Sequence, residues 1–277
     1  MSISRASLKA VLPARIYGPL RARRVRREVE RYKPRTVHHS YAGIQLAVRL
    51  EDGLAEAWYD HDWEEPPEVA VLRSGRLAPG ATVFDLGAHQ GVVALILAGI
   101  VGPDGHVVAV EAEPHNARVA QANVEANRAT SVTVLHAAGA ASEGLLSFRE
   151  GLNGEVAKRR GSPGAVDVPA VTVDGLAQRF GAPDVVLVDV EGYEAHVLDG
   201  ATRTLGAGRT DFQVELHDAA ALARAGSRAE DVLAHFPESL FDVRVSDDTG
   251  VEWRALEPGM LADGKRRFLS VRPRSPA

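Results

Sequence analysis

The stretch TVFDLGAHQGVV, Thr82 to Val93, decides the reading of this chain. A short apolar strand, Thr82 to Leu86, runs into a turn built on Gly87 and Gly91, and an apolar helix follows from about Val92 to Ile100. Glycines in such a turn let the backbone come close to a ligand, and the helix start offers unpaired N–H groups. A second strand begins at Val107 and ends in acid at Glu111. A carboxylate there accepts both hydroxyls of a ribose in nucleotide-binding βαβ units. The unit reads as a pocket for an adenosine-containing cofactor.

The spacing of the glycines narrows the cofactor. A dinucleotide fingerprint needs G-x-G-x-x-G, with the helix N-terminus on a pyrophosphate. The pattern here is Asp85-x-Gly87-x-x-x-Gly91, and no phosphate-binding G-x-x-x-x-G-K-[ST] occurs. The form D-x-G-A-x-x-G instead resembles the first motif of methyltransferases that use S-adenosylmethionine (SAM), a cofactor with no phosphate to cradle.

Composition bounds the class. At 277 residues, 45% hydrophobic and 25% charged, the chain can bury a sizeable core. It has no cysteine, which excludes disulfides and thiolate metal sites and fits a cytoplasmic enzyme. No apolar run reaches the roughly 18 residues of a membrane span, and the N-terminus lacks the apolar core of a signal peptide. Charge is uneven. Residues 1–35 hold eleven Lys or Arg against Glu28 and Glu30, a net of +9, so the other 242 residues carry −14. This basic extension, with Arg21, Arg23, Arg24, Arg26 and Arg27, suits peripheral contact with an anionic membrane or a solvated arm. Its few aromatics argue against nucleic acid as a partner.

Three segments are expected: the extension (1–35), an N-terminal hairpin and helix packed on the core (36–80), and a SAM-dependent methyltransferase domain (81–277). In the second, Ile44–Leu50 alternates as a strand, Leu54–Tyr59 reads as its return strand, and the helix follows Pro66–Pro67. Beyond Thr82 strands alternate with helices. Asp174 is placed as an N-cap, Asp184–Val190 as a strand buried on both faces, and Ala219–His235 as one helix. The loop at 150–164 is a candidate lid. The order implies a mostly parallel sheet with helices on both faces.

VVLVDVEGYE (Val185–Glu194) followed by VLDG (Val197–Gly200) carries the most specific resemblance. With VFDLGAHQG, VEAEPHNARVAQANVEAN and FQVELHD in order, the chain resembles the FkbM family of SAM-dependent methyltransferases from about Ile44 to His217. The resemblance implies an α/β, Rossmann-like class I methyltransferase fold. Its seven-stranded sheet is parallel except for one strand near the C-terminus. It also implies O-methylation of a sugar, glycolipid or natural-product hydroxyl on a small-molecule or glycan acceptor. Asp85, Gly87, Ala88, His89 and Gly91 are expected around the SAM methionine tail, Glu111 at the ribose, Glu113 and Asn116 at the adenine edge, and Ala138 beside its ring. His217 is the expected general base, with an intrinsic pKa near neutrality. Asp189 and Glu191 orient acceptor or base, and Glu215 fixes the imidazole. Asp189, Glu191 and Glu194 would seat Mg²⁺ if a metal is present, although acids at a helix N-terminus need none. A nicotinamide-dependent oxidoreductase and a non-catalytic SAM-binding module stand as the alternatives.

Overall fold

The computed structural model describes residues 23–25, 27–149, 155–156, 165–247 and 249–274. The candidate lid at 150–164 and most of the basic extension lie outside them, apart from the two-residue strand at 155–156 and the helical residues 23–25 and 27–31. β1 (Arg35–Tyr41) and β2 (Ile44–Leu50) pair as an antiparallel hairpin across Ala42–Gly43. The return strand expected at Leu54–Tyr59 is instead a helix, α1 (Gly53–Tyr59). The reason is local: Asp52 accepts the backbone N–H groups of Leu54 and Ala55, the hydrogen bonds of an N-cap. α2 (Pro67–Arg73) starts on the second proline, as expected.

The Rossmann-like body follows. β3 (Thr82–Leu86), α3 (Val92–Val101), β4 (His106–Glu111), α4 (Pro114–Ala126) and β5 (Val132–His136) form two successive βαβ crossovers. A four-stranded side sheet comes next: β6 (Ala138–Gly139), β7 (Gly144–Arg149), β8 (Glu155–Val156) and β9 (Ala165–Val171). α5 (Val173–Phe180) leads to β10 (Val185–Val188), every residue of which is buried. α5 is capped by Thr172 rather than Asp174. Asp174 instead binds the backbone N–H groups of Arg203 and Thr204 on a later helix. After β10 come α6 (Glu194–Asp199), α7 (Thr202–Gly206) and β11 (Asp211–Leu216). The single helix expected at 219–235 is two, α8 (Ala219–Ala225) and α9 (Ala229–Leu233), because Gly226 turns left-handed (φ 85°) between them. β12 (Phe241–Ser246), β13 (Arg254–Ala255) and β14 (Arg267–Pro273) complete the chain.

The main sheet runs β13-β12-β14-β11-β10-β3-β4-β5. It has eight strands rather than seven, the addition being the two-residue edge strand β13. β14 lies antiparallel between β11 and β12, and the strands from β11 to β5 are mutually parallel. Each sheet face covers its own apolar layer. Val83, Val107, Ala109, Val185 and Leu187 pack under the hairpin, α1, α2 and α3. Phe84, Val108, Val186, Phe212 and Val214 pack under α5, α6, α8 and α9. The hairpin is also tied by polar contacts: Arg49 N–H donates to Asn123 Oδ1 (2.7 Å), and Ala47 N–H to Asn127 Oδ1 (2.9 Å). Strand order reverses between β3 and β10, and such switch points open a crevice beyond the carboxyl ends of the strands.

Candidate active site

The turn after β3 is shaped by contact with the loop after β10. Gly87 has φ 97°, and a Cβ there would stand 1.7 Å from the carbonyl oxygen of Asp189. Only glycine fits, so the cradle between these two strand ends stays open to a ligand. Gly91 (φ 79°) caps α3 and packs on Ala120, placing the helix without lining the crevice.

A crevice of about 260 Å³ lies over the switch point, lined among others by Trp58, Gly87, Glu111, Ala138, Asp189 and Glu191. Glu111 closes one end. Its carboxylate accepts the backbone N–H groups of His89 (2.8 Å) and Glu113 (2.7 Å). Burial nevertheless pushes its pKa up to about 8, against those two hydrogen bonds and with Glu113 and Asp85 adding to the rise. His89 therefore gives its N–H to Glu111, while its ring accompanies Trp58 and meets the Tyr59 hydroxyl at 2.7 Å. Ala137, Ala138 and Gly139 add small residues to the lining.

Two expected cofactor contacts fall elsewhere. Glu113 is the N-cap of α4 and accepts from His115 and Asn116 N–H. Asn116 is buried and its side chain accepts from Gln90. Neither lines the crevice, because the Glu-Pro pair is used to start a helix. Asp85, in contrast, lines an adjoining chamber of about 190 Å³ that shares Trp58, Gly87, His89, Asp189 and Glu215 with the crevice. Its Oδ2 is buried without a hydrogen-bond partner, as are both amide atoms of Gln213 on the next strand but one. Burial, with the charge of Glu68, raises the Asp85 carboxyl to about 7.

At the other end of the crevice, residues from β10, α6 and β11 converge on His217. Its Nδ1 lies 2.8 Å from Oε1 of Glu194, a side chain with no solvent exposure that also accepts the Gly192 N–H. Glu194, not Glu215, fixes the imidazole; Glu215 is bound by Arg266 at 2.7 Å. The other ring nitrogen, Nε2, faces Glu191 Oε2 (3.5 Å), Asp189 Oδ1 (3.8 Å) and Glu215 Oε1 (3.8 Å). Burial opposes a charge on this ring. The hydrogen bond and charge of Glu194, then the charges of Asp189 and Glu191, overcome it and raise the pKa to about 9. This arrangement favours the imidazolium, whereas the role of general base expected from the sequence needs the neutral ring. Asp189 is pushed above the usual carboxylate range by the surrounding protein and by Glu215, against the charge of His217 and with Glu191 and Glu194 adding to the rise. Its side chain is 51% exposed to the open crevice, so water there weakens the effect.

Sequence reasoning missed Trp58, Tyr59, Gln213 and Arg266, which line the two cavities. Only Trp58 and Tyr59 had a legible signal, the Asp52 cap that makes their segment a helix.

Strand order, an open glycine cradle and a carboxylate at the end of β4 together define the class I SAM-dependent methyltransferase fold. The family profile described as the methyltransferase FkbM domain matches residues 85–243, more than half of the sequence, and the chain belongs to the FkbM methyltransferase family. It is 45% identical over 56 residues to an arsenite methyltransferase of Halobacterium salinarum, a match spanning 20% of this chain and 14% of that protein. Among solved structures it resembles an FkbM methyltransferase from Methylobacillus flagellatus (16% identity, TM-score 0.44), with 68% of this chain and 43% of that one covered. It also resembles a SAM-dependent O-methyltransferase from Thermotoga maritima (14% identity, TM-score 0.44), with coverage of 88% and 79%.

Proposed function

We propose that the chain transfers a methyl group from SAM to a hydroxyl of a sugar, glycolipid or natural-product acceptor. The observation that carries this reading is the crevice wall. Glu111, Ala137 and Ala138, the carboxylates of Asp189 and Glu191, and the ring of Trp58 all line it. An aromatic face beside convergent hydrogen-bond acceptors suits a hydroxylated ring. The residues also fit the cofactor: the Gly87 cradle admits a close backbone approach, and Asp85 and Glu111 offer buried carboxyls on either side of it.

SAM supplies a methyl on a sulfonium; the C–S bond breaks, an O–CH₃ bond forms, and S-adenosylhomocysteine leaves. The protein's contribution is alignment of the hydroxyl and removal of its proton. Asp189 and Glu191 face the crevice and accept the hydroxyl hydrogen bond, and one of them takes the proton. His217, held by Glu194, keeps the two carboxylates in place by charge. Incubation with methyl-labelled SAM and a panel of glycosides, glycolipids and polyketide alcohols tests the reading. A labelled methyl ether is expected; transfer only to nitrogen or carbon would overturn it.

A further inference from the structure

The arrangement around His217 Nε2 asks for something that the methyl-transfer reading does not use. Among the described residues no hydrogen bond reaches this nitrogen, although the residue is nine-tenths buried. Three carboxylates surround it at 3.5–3.8 Å, at or beyond hydrogen-bond reach. Its orientation is not accidental. Nδ1 is held by the fully buried Glu194, so Nε2 is the nitrogen turned toward Asp189, Glu191 and Glu215, which line the crevice. A histidine whose far nitrogen is fixed by a carboxylate while the near one stands open is the arrangement of a metal-ligating imidazole. One ligand atom each from Asp189, Glu215 and His217 lies within 4.8 Å of the others.

We propose that Asp189, Glu215 and His217 bind a divalent cation at the acceptor end of the crevice, with Glu194 as the residue that orients His217. Two carboxylates and one imidazole suit Mn²⁺ or Mg²⁺, and Mn²⁺ better because of the nitrogen. Ligand atoms on such an ion at about 2.1 Å sit about 3 Å apart, so the side chains need to close by about an ångström. Glu194 is an orienting residue and not a ligand, because its fully buried carboxylate stands on the Nδ1 side of the ring, whereas Glu215, whose Oε1 also binds Arg266, faces Nε2. Asp189 is half-exposed, which leaves the ion open positions toward the crevice for water or an acceptor hydroxyl. The ion replaces the proton that His217 otherwise carries. Glu191 then remains as the acceptor of the hydroxyl proton. This last role rests on the proposed methyl transfer; the cation site itself does not.

The test uses the full chain stripped with EDTA and titrated with Mn²⁺, followed by electron paramagnetic resonance and calorimetry, with and without SAM. One bound Mn²⁺ per chain is expected. Asp189→Asn and His217→Ala should abolish it, and Glu194→Gln should weaken it about 10- to 100-fold. Asp242→Asn, on the surface of β12, should leave it unchanged. Circular dichroism checks folding, and the half-exposed Asp189 decides if the His217 variant does not fold. Absence of Mn²⁺ binding, or binding undiminished in Asp189→Asn, overturns the proposal. A separate SAM titration distinguishes the two readings. SAM binding without Mn²⁺ leaves methyl transfer standing and the cation site refuted, whereas Mn²⁺ binding with no methyl transfer does the reverse.

Discussion

Glu111 is the residue where stability and function pull apart. Its carboxyl titrates near 8 in the folded chain against an ordinary 4.5. Between those values the folded protein keeps a proton that the unfolded chain gives up, so stability falls as pH rises through this window. Glu111→Gln removes the penalty. Its melting temperature should match wild type near pH 5 and exceed it by several degrees near pH 8, at roughly 2–4 °C per kcal/mol for a chain of this size. The same position should matter oppositely for the cofactor. Hydrogen bonds to a charged group are worth roughly 1.5–3 kcal/mol, so above pH 8, where this carboxyl is ionised, Glu111→Ala should weaken SAM binding about 10- to 150-fold by calorimetry. Unchanged affinity would move the ribose elsewhere. Gly87→Ala is a harsher change. It meets both a left-handed φ and the Asp189 carbonyl, and the backbone strain alone costs roughly 1–3 kcal/mol. Loss of SAM binding with a lowered melting temperature is expected.

Elements differ in how plainly the chain announces them. The β3 turn and β10 were legible because glycine spacing and an unbroken apolar run have few other readings. α1 was not. GLAEAWY is short enough for strand and helix periods to fit alike, and the deciding signal is one capping side chain, Asp52. Glu113 and Asn116 are expected at the adenine edge, and neither lines the crevice. Pro114 reads as a helix start in the sequence as well; that Glu113 is spent as the cap of this helix emerges only in the structure. Glu194 reads from the sequence as a candidate Mg²⁺ ligand beside Asp189 and Glu191, yet its partner His217 is 23 residues away and only the fold brings them together. The hairpin allows a direct measurement at this scale. Removal of residues 1–34 keeps β1 whole and should leave the melting temperature nearly unchanged. Removal of residues 1–41 strips β1 and the buried Tyr41, whose hydroxyl donates to the Tyr59 carbonyl. Loss of one large aromatic from a core costs about 3–5 kcal/mol by itself, so this shorter chain should melt far lower or not fold.

For the molecule as a whole, charge is separated between the basic extension and an acidic body. Arg23, Arg24, Arg27 and Arg31 are exposed, and Arg35 at the boundary is tied to Glu56 (2.7 Å) and Asp60 (2.5 Å) on and beside α1. No helix among the described residues is long and apolar enough to cross a membrane. A membrane role for the extension is therefore a peripheral one, set by charge. The full chain should co-sediment with anionic vesicles at low salt and be released at high salt, and the chain lacking residues 1–34 should not bind. SAM affinity should be equal in both. Co-sedimentation that ignores salt would point away from the arginines.

The placement of β14 has a bearing on how the protein is born. β12 touches the main sheet only through β14, and β14 is made after it. When residues 241–246 leave the ribosome, both of their sheet neighbours are still unsynthesised. The outer edge of β11 likewise stays bare until 267–273 arrive. The SAM-facing half, from β3 to β5 and β10, is complete before then, since the edge that β3 leaves open is closed when β10 arrives at 185–188. Translation thus delivers a nearly complete cofactor half next to an unfinished edge. Such open edges are where nascent chains pair wrongly. A ligand that settles the early half, or a chaperone that shields β11 and β12, has its effect in that interval.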